Sequence, residues 1–384
     1  MQFFQLHQTT GWRLASGLAV VLCVSSWAKA EDSKAETKVA DAKRYEQMVN
    51  RTLDYLSTKG QASDGSFSGQ VGPSVTALVI TGYLQNGRSI NEPAVAKGLK
   101  YLEGFAQPDG GIHAKESLYK NYETSLGILA FAAANKDGRY NETLKKAEKF
   151  VTGLQWDGEE GHDPANPAYG GAGYGNKKRP DLSNTSFLID ALKAAGHGPD
   201  SEAMQKALIF ISRCQNLESP HNTTPSAAKV NDGGFYYTPY GDGDSQAGKT
   251  ENGGLRSYAS MTYAGLKSMI FCGVKPDDPR VKAAFEWAQQ NYDLKSNPGM
   301  GTSGLFYYYH TFAKALSTMG VDQMKDKEGK LHDWRHELLV ELASRQNPDG
   351  SWTNKDARWL EGDPNLVSGY VLLTLSYLRQ PTDK

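Results

Sequence analysis

The chain has 384 residues, with 42 Lys and Arg against 43 Asp and Glu and a formal net charge of −1. So even a balance leaves no electrostatic footprint for nucleic acid or for an anionic membrane surface. Three cysteines in this length exclude a disulfide scaffold.

Arg13 precedes an apolar run from Leu14 to Val24, and Ala28-Lys29-Ala30 follows. This pattern predicts a secretory signal over residues 1–30, cut after Ala30, and an exported protein, periplasmic or extracellular. The run is too short for a stable membrane span. Cys23 follows Leu22 rather than a small residue, which argues against lipid anchoring. Residues 31–384 are expected to form one domain.

Within that domain six turn-rich segments recur: SDGSFSG at Ser63, QPDGGIH at Gln107, YGGAGYG at Tyr169, NDGGFYY at Asn231, NPGMGTSGLF at Asn297 and QNPDGSW at Gln346. Each is preceded by an amphipathic pattern. These patterns predict outer helices near 41–59, 92–105, 141–155, 201–215, 279–291 and 332–345. Each is followed by a stretch apolar nearly all round, which predicts buried inner helices near 74–85, 122–134, 183–195, 258–272, 307–319 and 366–378. Strict alternation of six outer and six inner helices predicts an all-α, closed (α/α)6 toroid. An open solenoid would carry a polar stripe on its inner row, and little of one is present. The glycine-rich links suit tight turns with positive φ.

QNPDGSW and its degenerate copies resemble the QW-type repeats of the prenyltransferase and squalene-hopene cyclase superfamily. The likeness covers residues 31–384. It implies the toroid and a role in handling isoprenoids or lipids.

The stacked first turns of the inner helices form a polar ring that includes Thr76, Thr124, Thr185, Ala259, Tyr309 and Ser368. Free N–H groups and helix dipoles converge there, so it is a pocket for a polar group or simply a set of caps. Class II terpene cyclases carry DxDD followed by Thr at this kind of position. Here the run is Asp181-Leu182-Ser183-Asn184-Thr185. Ser183 stands where the family's proton donor would be, and a hydroxyl cannot protonate an alkene. The resemblance to protein prenyltransferases places His310 like their zinc-binding His, but Arg256 to Met261 offers no Asp-x-Cys partner. No metal and no cofactor is therefore expected.

Glu123 and Asp190, the inner-helix carboxylates, are possible general acids together with His310. Asp181, Asn184, Thr185, Tyr237, Tyr258, Tyr309 and His310 are the expected ligand-binding set. The long irregular segment 231–258 is either functional or a glycine-flexible loop, and whether it holds a metal stays open. Cys214 and Cys272 are expected to be free, because hairpin geometry sends their helix ends to opposite faces. Three functions remain open. They are an isoprenoid- or lipid-handling protein lacking the cyclase acid and the zinc site, a non-catalytic envelope protein binding peptide or glycan, and a polysaccharide-active (α/α)6 enzyme.

Overall fold

The computed structural model describes residues 16–158, 163–175 and 179–379, with side chains from residue 36 onward. The first half of the expected signal, including Arg13, and the side chains of its remainder lie outside the described residues. A helix α1 (Ser16–Tyr55) opens the described chain. Up to Gln47 it belongs to a unit of its own, in which Arg44 pairs with Asp41 at 2.8 Å.

From Met48 onward the chain is a second unit. It contains the end of α1, then α2 (Ser74–Gln85), α3 (Pro93–Glu103), α4 (Lys120–Ala134), α5 (Asn141–Thr152), α6 (Leu182–Ala194) and α7 (Glu202–Arg213). There follow a short α8 (Pro225–Val230), α9 (Ala259–Phe271), α10 (Pro279–Gln290), α11 (Leu305–Thr318), α12 (Trp334–Arg345) and α13 (Pro364–Leu378). A two-stranded hairpin, β1 (Met324–Lys325) with β2 (Leu331–His332), was not expected from the helical periodicity.

Helices α2, α4, α6, α9, α11 and α13 pack each on the next, and α13 packs back on α2. The ring therefore closes, as an all-α (α/α)6 toroid. Each inner helix buries residues on every side: α2 hides Ser74 through Tyr83 without a break. Complete burial of side chains such as Val79 and Ile80 stabilises by roughly 1.5–3 kcal/mol each. Helix starts follow local chemistry. The carboxylate of Asp181 accepts from Asn184 N, that of Asp278 from Arg280 N, and that of Asp363 from Asn365 N and Leu366 N.

The turns show why the repeat has its residues. In five of them a glutamine side chain braces the turn, and in four of these it also reaches the backbone of a neighbouring outer helix. Gln61 Nε2 donates to Gly65 O and to Ala94 O of α3, Gln155 to Ala203 O of α7, Gln215 to Arg280 O of α10, and Gln346 to Met48 O of α1. Gln107 instead donates to Phe105 O and His113 O within its own turn. The turn glycines lie against the next outer helix. A Cβ on Gly170, at φ +81°, would stand 1.8 Å from Lys206 O. In the same repeats the hydroxyl of Thr76, Thr124, Thr185, Thr262 or Ser368 accepts the backbone N–H of the turn before its helix. Thr262, not Ala259, is the member from α9, so the expected column slips by one helical turn there. No Tyr309 equivalent exists, because the Tyr309 hydroxyl donates elsewhere, to Leu294 O at 2.6 Å.

Candidate functional site

At the N-terminal ends of the inner helices the ring holds a cavity of about 520 Å³ to which all six contribute. Ser74 and Val75 come from α2, Tyr122 from α4, Asn184 and Phe187 from α6, Met261 from α9, Tyr307 from α11, and Leu366 and Tyr370 from α13. The turns add Tyr119, Tyr174, Tyr237, Tyr258 and Trp359. Seven tyrosines thus face one cavity. Tyr122 meets Phe187 edge-on at 5.0 Å between centroids, and Tyr307 meets Tyr370 at 5.9 Å. The hydroxyls pair as well: Tyr307 with Ser183 Oγ at 3.0 Å, and Tyr122 with Tyr370 at 3.3 Å. Burial pushes the Tyr122 phenol up to about 12 and the Tyr307 phenol higher still. These groups therefore stay protonated and act as neutral donors and acceptors.

The polar lining is sparse. Arg179 stands half-exposed and pairs with Asp244 at 3.0 Å. Glu361 accepts from Tyr307 N at 2.8 Å and from Asn354 Nδ2 at 2.7 Å. Burial raises this carboxyl, and its oxygens are engaged in holding the start of α11.

The expected ligand set divides. Asn184, Tyr237 and Tyr258 line the cavity. Asp181 lies behind its wall as the cap of α6, accepting Asn184 N at 2.9 Å and Asn184 Nδ2 at 2.7 Å. Burial pushes its carboxyl up to about 6, against the hydrogen bonds of Asn184 and Tyr237. Thr185 is consumed by the turn, bonding Ala172 N and Asp181 O. Tyr309 points away from the cavity, and Tyr307 takes the place expected of it. His310 is buried and does not line the cavity; its ring lies against Tyr370 and Tyr377. Its Nδ1 has no partner among the described residues.

Two acid candidates are structural. Glu123 Oε2 accepts Ala114 N at 2.9 Å and Oε1 accepts Ser117 Oγ at 2.7 Å, so it organises the preceding turn. Asp190 takes Lys267 Nζ on one oxygen and Lys314 Nζ on the other, each at 2.6 Å. Burial alone would raise this carboxyl, but the two ammonium groups hold it below the usual range. It is ionised and cannot serve as a proton donor near neutral pH. Lys267 also donates to Ser186 Oγ and Ser186 O. Burial brings Lys267 down to about 8. His310 beside this cluster falls to about 3, through burial and then the Lys314 charge. Asp190 falls mid-helix, where a buried carboxylate needs a partner; the lysines that supply it sit mid-helix on α9 and α11, apolar-looking stretches where a lone Lys gave no signal.

Among the described residues no group of three His, Cys, Asp or Glu side chains is arranged to hold a metal ion. In the segment 231–258, Asp244 is engaged by Arg179 and by Gln246 Nε2 at 3.1 Å. Cys214 and Cys272 are both free and buried. No described helix is long and apolar enough to cross a membrane.

Comparison with solved structures settles the architecture. The chain is similar to a variant of the type II terpene cyclase MstE from Scytonema, in complex with geranylgeranyl dihydroxybenzoate, with TM-score 0.55 at 12% identity over 88% of this chain and 98% of that one. The fold is a terpenoid-cyclase-like (α/α)6 toroid. The toroid is also similar to a family 76 glycoside hydrolase from a bovine Bacteroides thetaiotaomicron strain, with TM-score 0.52 at 11% identity over 86% and 77% of the two chains. A glycosidase variant matches with TM-score 0.50 at 13% identity over 88% and 97%. At these identities the likeness is one of fold. No protein-family model and no curated protein matches the toroid.

Proposed function

We propose that the toroid is an exported, single-domain protein that binds an isoprenoid-like amphiphile in its tyrosine-lined cavity and does not cyclise it by protonation. The observation that carries this reading is the lining itself. Aromatic faces alternate with Val75, Phe187, Met261 and Leu366, while the lining carboxyl, Glu361, is tied to backbone N–H groups. Such a surface holds an apolar chain by area burial and by contact with ring faces. It offers no acid strong enough for an alkene: Ser183 stands at the donor's place, and Asp181 is turned into its own cap. The terpene cyclase with the same ring was solved with a geranylgeranyl compound bound, which favours an isoprenoid over a peptide.

A glycan is the second reading, favoured by the phenol hydroxyls and by the glycoside hydrolases that share the ring. A hydrolytic role would need two facing carboxylates, and the described lining has one. Titration with geranylgeraniol, followed by intrinsic fluorescence, tests the first reading. Saturable binding weakened by Phe187→Ala and Tyr307→Ala is expected. Silence toward the prenol together with saturable binding of an oligosaccharide would transfer the site to the second reading.

A further inference from the structure

Three loops meet at the solvent side of the cavity. Arg179 precedes α6, Asp244 and Gln246 belong to the segment between α8 and α9, and Arg358 and Trp359 precede α13. Hydrogen bonds join them in series. Arg179 donates to Asp244 Oδ2 at 3.0 Å. Gln246 Nε2 donates to the same oxygen at 3.1 Å. Arg358 donates to Gln246 Oε1 at 2.6 Å. The Arg358 guanidinium then lies over the Trp359 ring at 4.1 Å. Arg179, Gln246 and Trp359 all line the cavity.

Exposure says which side of the cavity they occupy. Trp359 is 45% exposed and Leu360 52%, whereas Tyr258, Met261 and Tyr370 on the same lining are 3%, 2% and 6% exposed. The series therefore crosses the outer side, above a buried floor. Trp359 and Leu360 also have φ of +55° and +65°. Two consecutive non-glycine residues in the left-handed region are strained, and such strain concentrates at ligand clamps and switches. The segment carrying Asp244 and Gln246 turns at Gly241, Gly243, Gly248 and Gly253, all with positive φ, so its course across the mouth depends on glycine at those positions.

We propose that Arg179, Asp244, Gln246 and Arg358 form a latch across the cavity mouth, and that ligand enters and leaves when this latch opens, with Trp359 and Leu360 moving aside. The inference rests on the cavity being the ligand site. Both arginine links are solvent-exposed and the Gln246–Asp244 link is half-buried; each is individually weak, so the latch opens readily and salt loosens it. It governs rates, not the equilibrium, because it closes in the same way over the empty and the filled cavity.

The test has two arms. In the first, hydrogen–deuterium exchange is followed over residues 241–248 and 356–361 in the wild type, Asp244→Asn and Arg358→Ala, without ligand. The latch predicts reciprocal loosening: Arg358→Ala speeds exchange in 241–248, and Asp244→Asn speeds it in 356–361. Acceleration confined to the mutated loop would overturn the proposal. In the second arm, stopped-flow fluorescence follows geranylgeraniol at low and high sodium chloride. Both variants, and high salt with the wild type, should raise association and dissociation rates together by about three- to tenfold, leaving Kd within about twofold. A change in the dissociation rate alone would make these residues ligand contacts and overturn the latch. Absence of any prenol binding would count against the isoprenoid reading, while the exchange arm still decides the latch.

Discussion

Replacing Asp190 with Asn should be among the most damaging single changes in the ring. The carboxylate is 5% exposed and is shared by Lys267 and Lys314, at 2% and 8% exposed, with both contacts at 2.6 Å. The amide keeps the volume but removes the negative charge, leaving two ammonium groups facing each other between α6, α9 and α11. Breaking a buried pair costs about 3–5 kcal/mol; here one removal strands two partners, so the upper end, about 5 kcal/mol, is expected at pH 7. The loss should shrink as pH rises, because Lys267 already sits near 8 and sheds its proton more easily without its counter-ion. The triple variant Asp190→Leu, Lys267→Met, Lys314→Met should recover most of the stability, since apolar replacement of a whole buried cluster is often neutral or favourable. Urea unfolding at pH 7 and pH 9 measures both. A loss below about 1 kcal/mol for Asp190→Asn, or a triple variant no better than the single, would show that the cluster is solvated and refute the reasoning.

His310 supplies a pH prediction with a definite sign. Its folded pKa of about 3 lies below the ordinary 6.5, so the unfolded chain takes the proton first and stability falls as pH drops through that window. Between pH 7 and 4.5 this amounts to about 2–3 kcal/mol. Asp181, raised to about 6, works in the opposite direction from pH 6 toward 4, so the measurable quantity is the difference between wild type and His310→Phe, whose urea midpoint should fall less on acidification. Gly170→Ala should cost well over 2 kcal/mol, because its Cβ would meet Lys206 O at 1.8 Å on top of the positive φ. Gly196→Ala, with positive φ but open space around it, should cost about 1 kcal/mol; equal midpoint shifts in thermal melts of the two would contradict the close approach. Glu361→Gln should lower the melting temperature by the equivalent of about 1 kcal/mol, the value of a cap at the start of α11.

The ring was legible in the sequence because its determinants are local and repeated. Apolar periodicity separates inner from outer helices, and Asp-Gly turns recur at fixed offsets. The α2 bounds 74–85 fall where the apolar run begins and ends. The site was legible only where the signal was positional. The place of the Asp181-to-Thr185 run at a helix start brought Asn184 to the cavity, but in the stacked column a one-turn slip put Ala259 where Thr262 belongs, and on α11 Tyr307, two residues before Tyr309, is the one that enters the cavity. On a helix with aromatic residues at four consecutive positions, 306–309, periodicity cannot say which one points inward. Tyr119, Tyr174 and Trp359 come from turns, and their approach depends on chain reversals that no helical pattern encodes. The lysine partners of Asp190 lie 77 and 124 residues away along the chain, a distance over which spacing carries no information.

The glutamine bridges have a further consequence. Gln346, at the last turn, reaches Met48 on the first outer helix, just as Gln61 reaches Ala94, and α13 packs on α2. A linear stack of repeats has two ends, and each can fray while the middle stays folded. A circle has no terminal repeat, so loss of any one unit opens two interfaces at once. Such a molecule should resist partial melting and then fail in a single step. The chain enters this circle at Met48 and leaves it through α13, so a permutant of residues 48–379 that joins these two points by a linker and opens the chain at an exposed outer turn should still close the same ring.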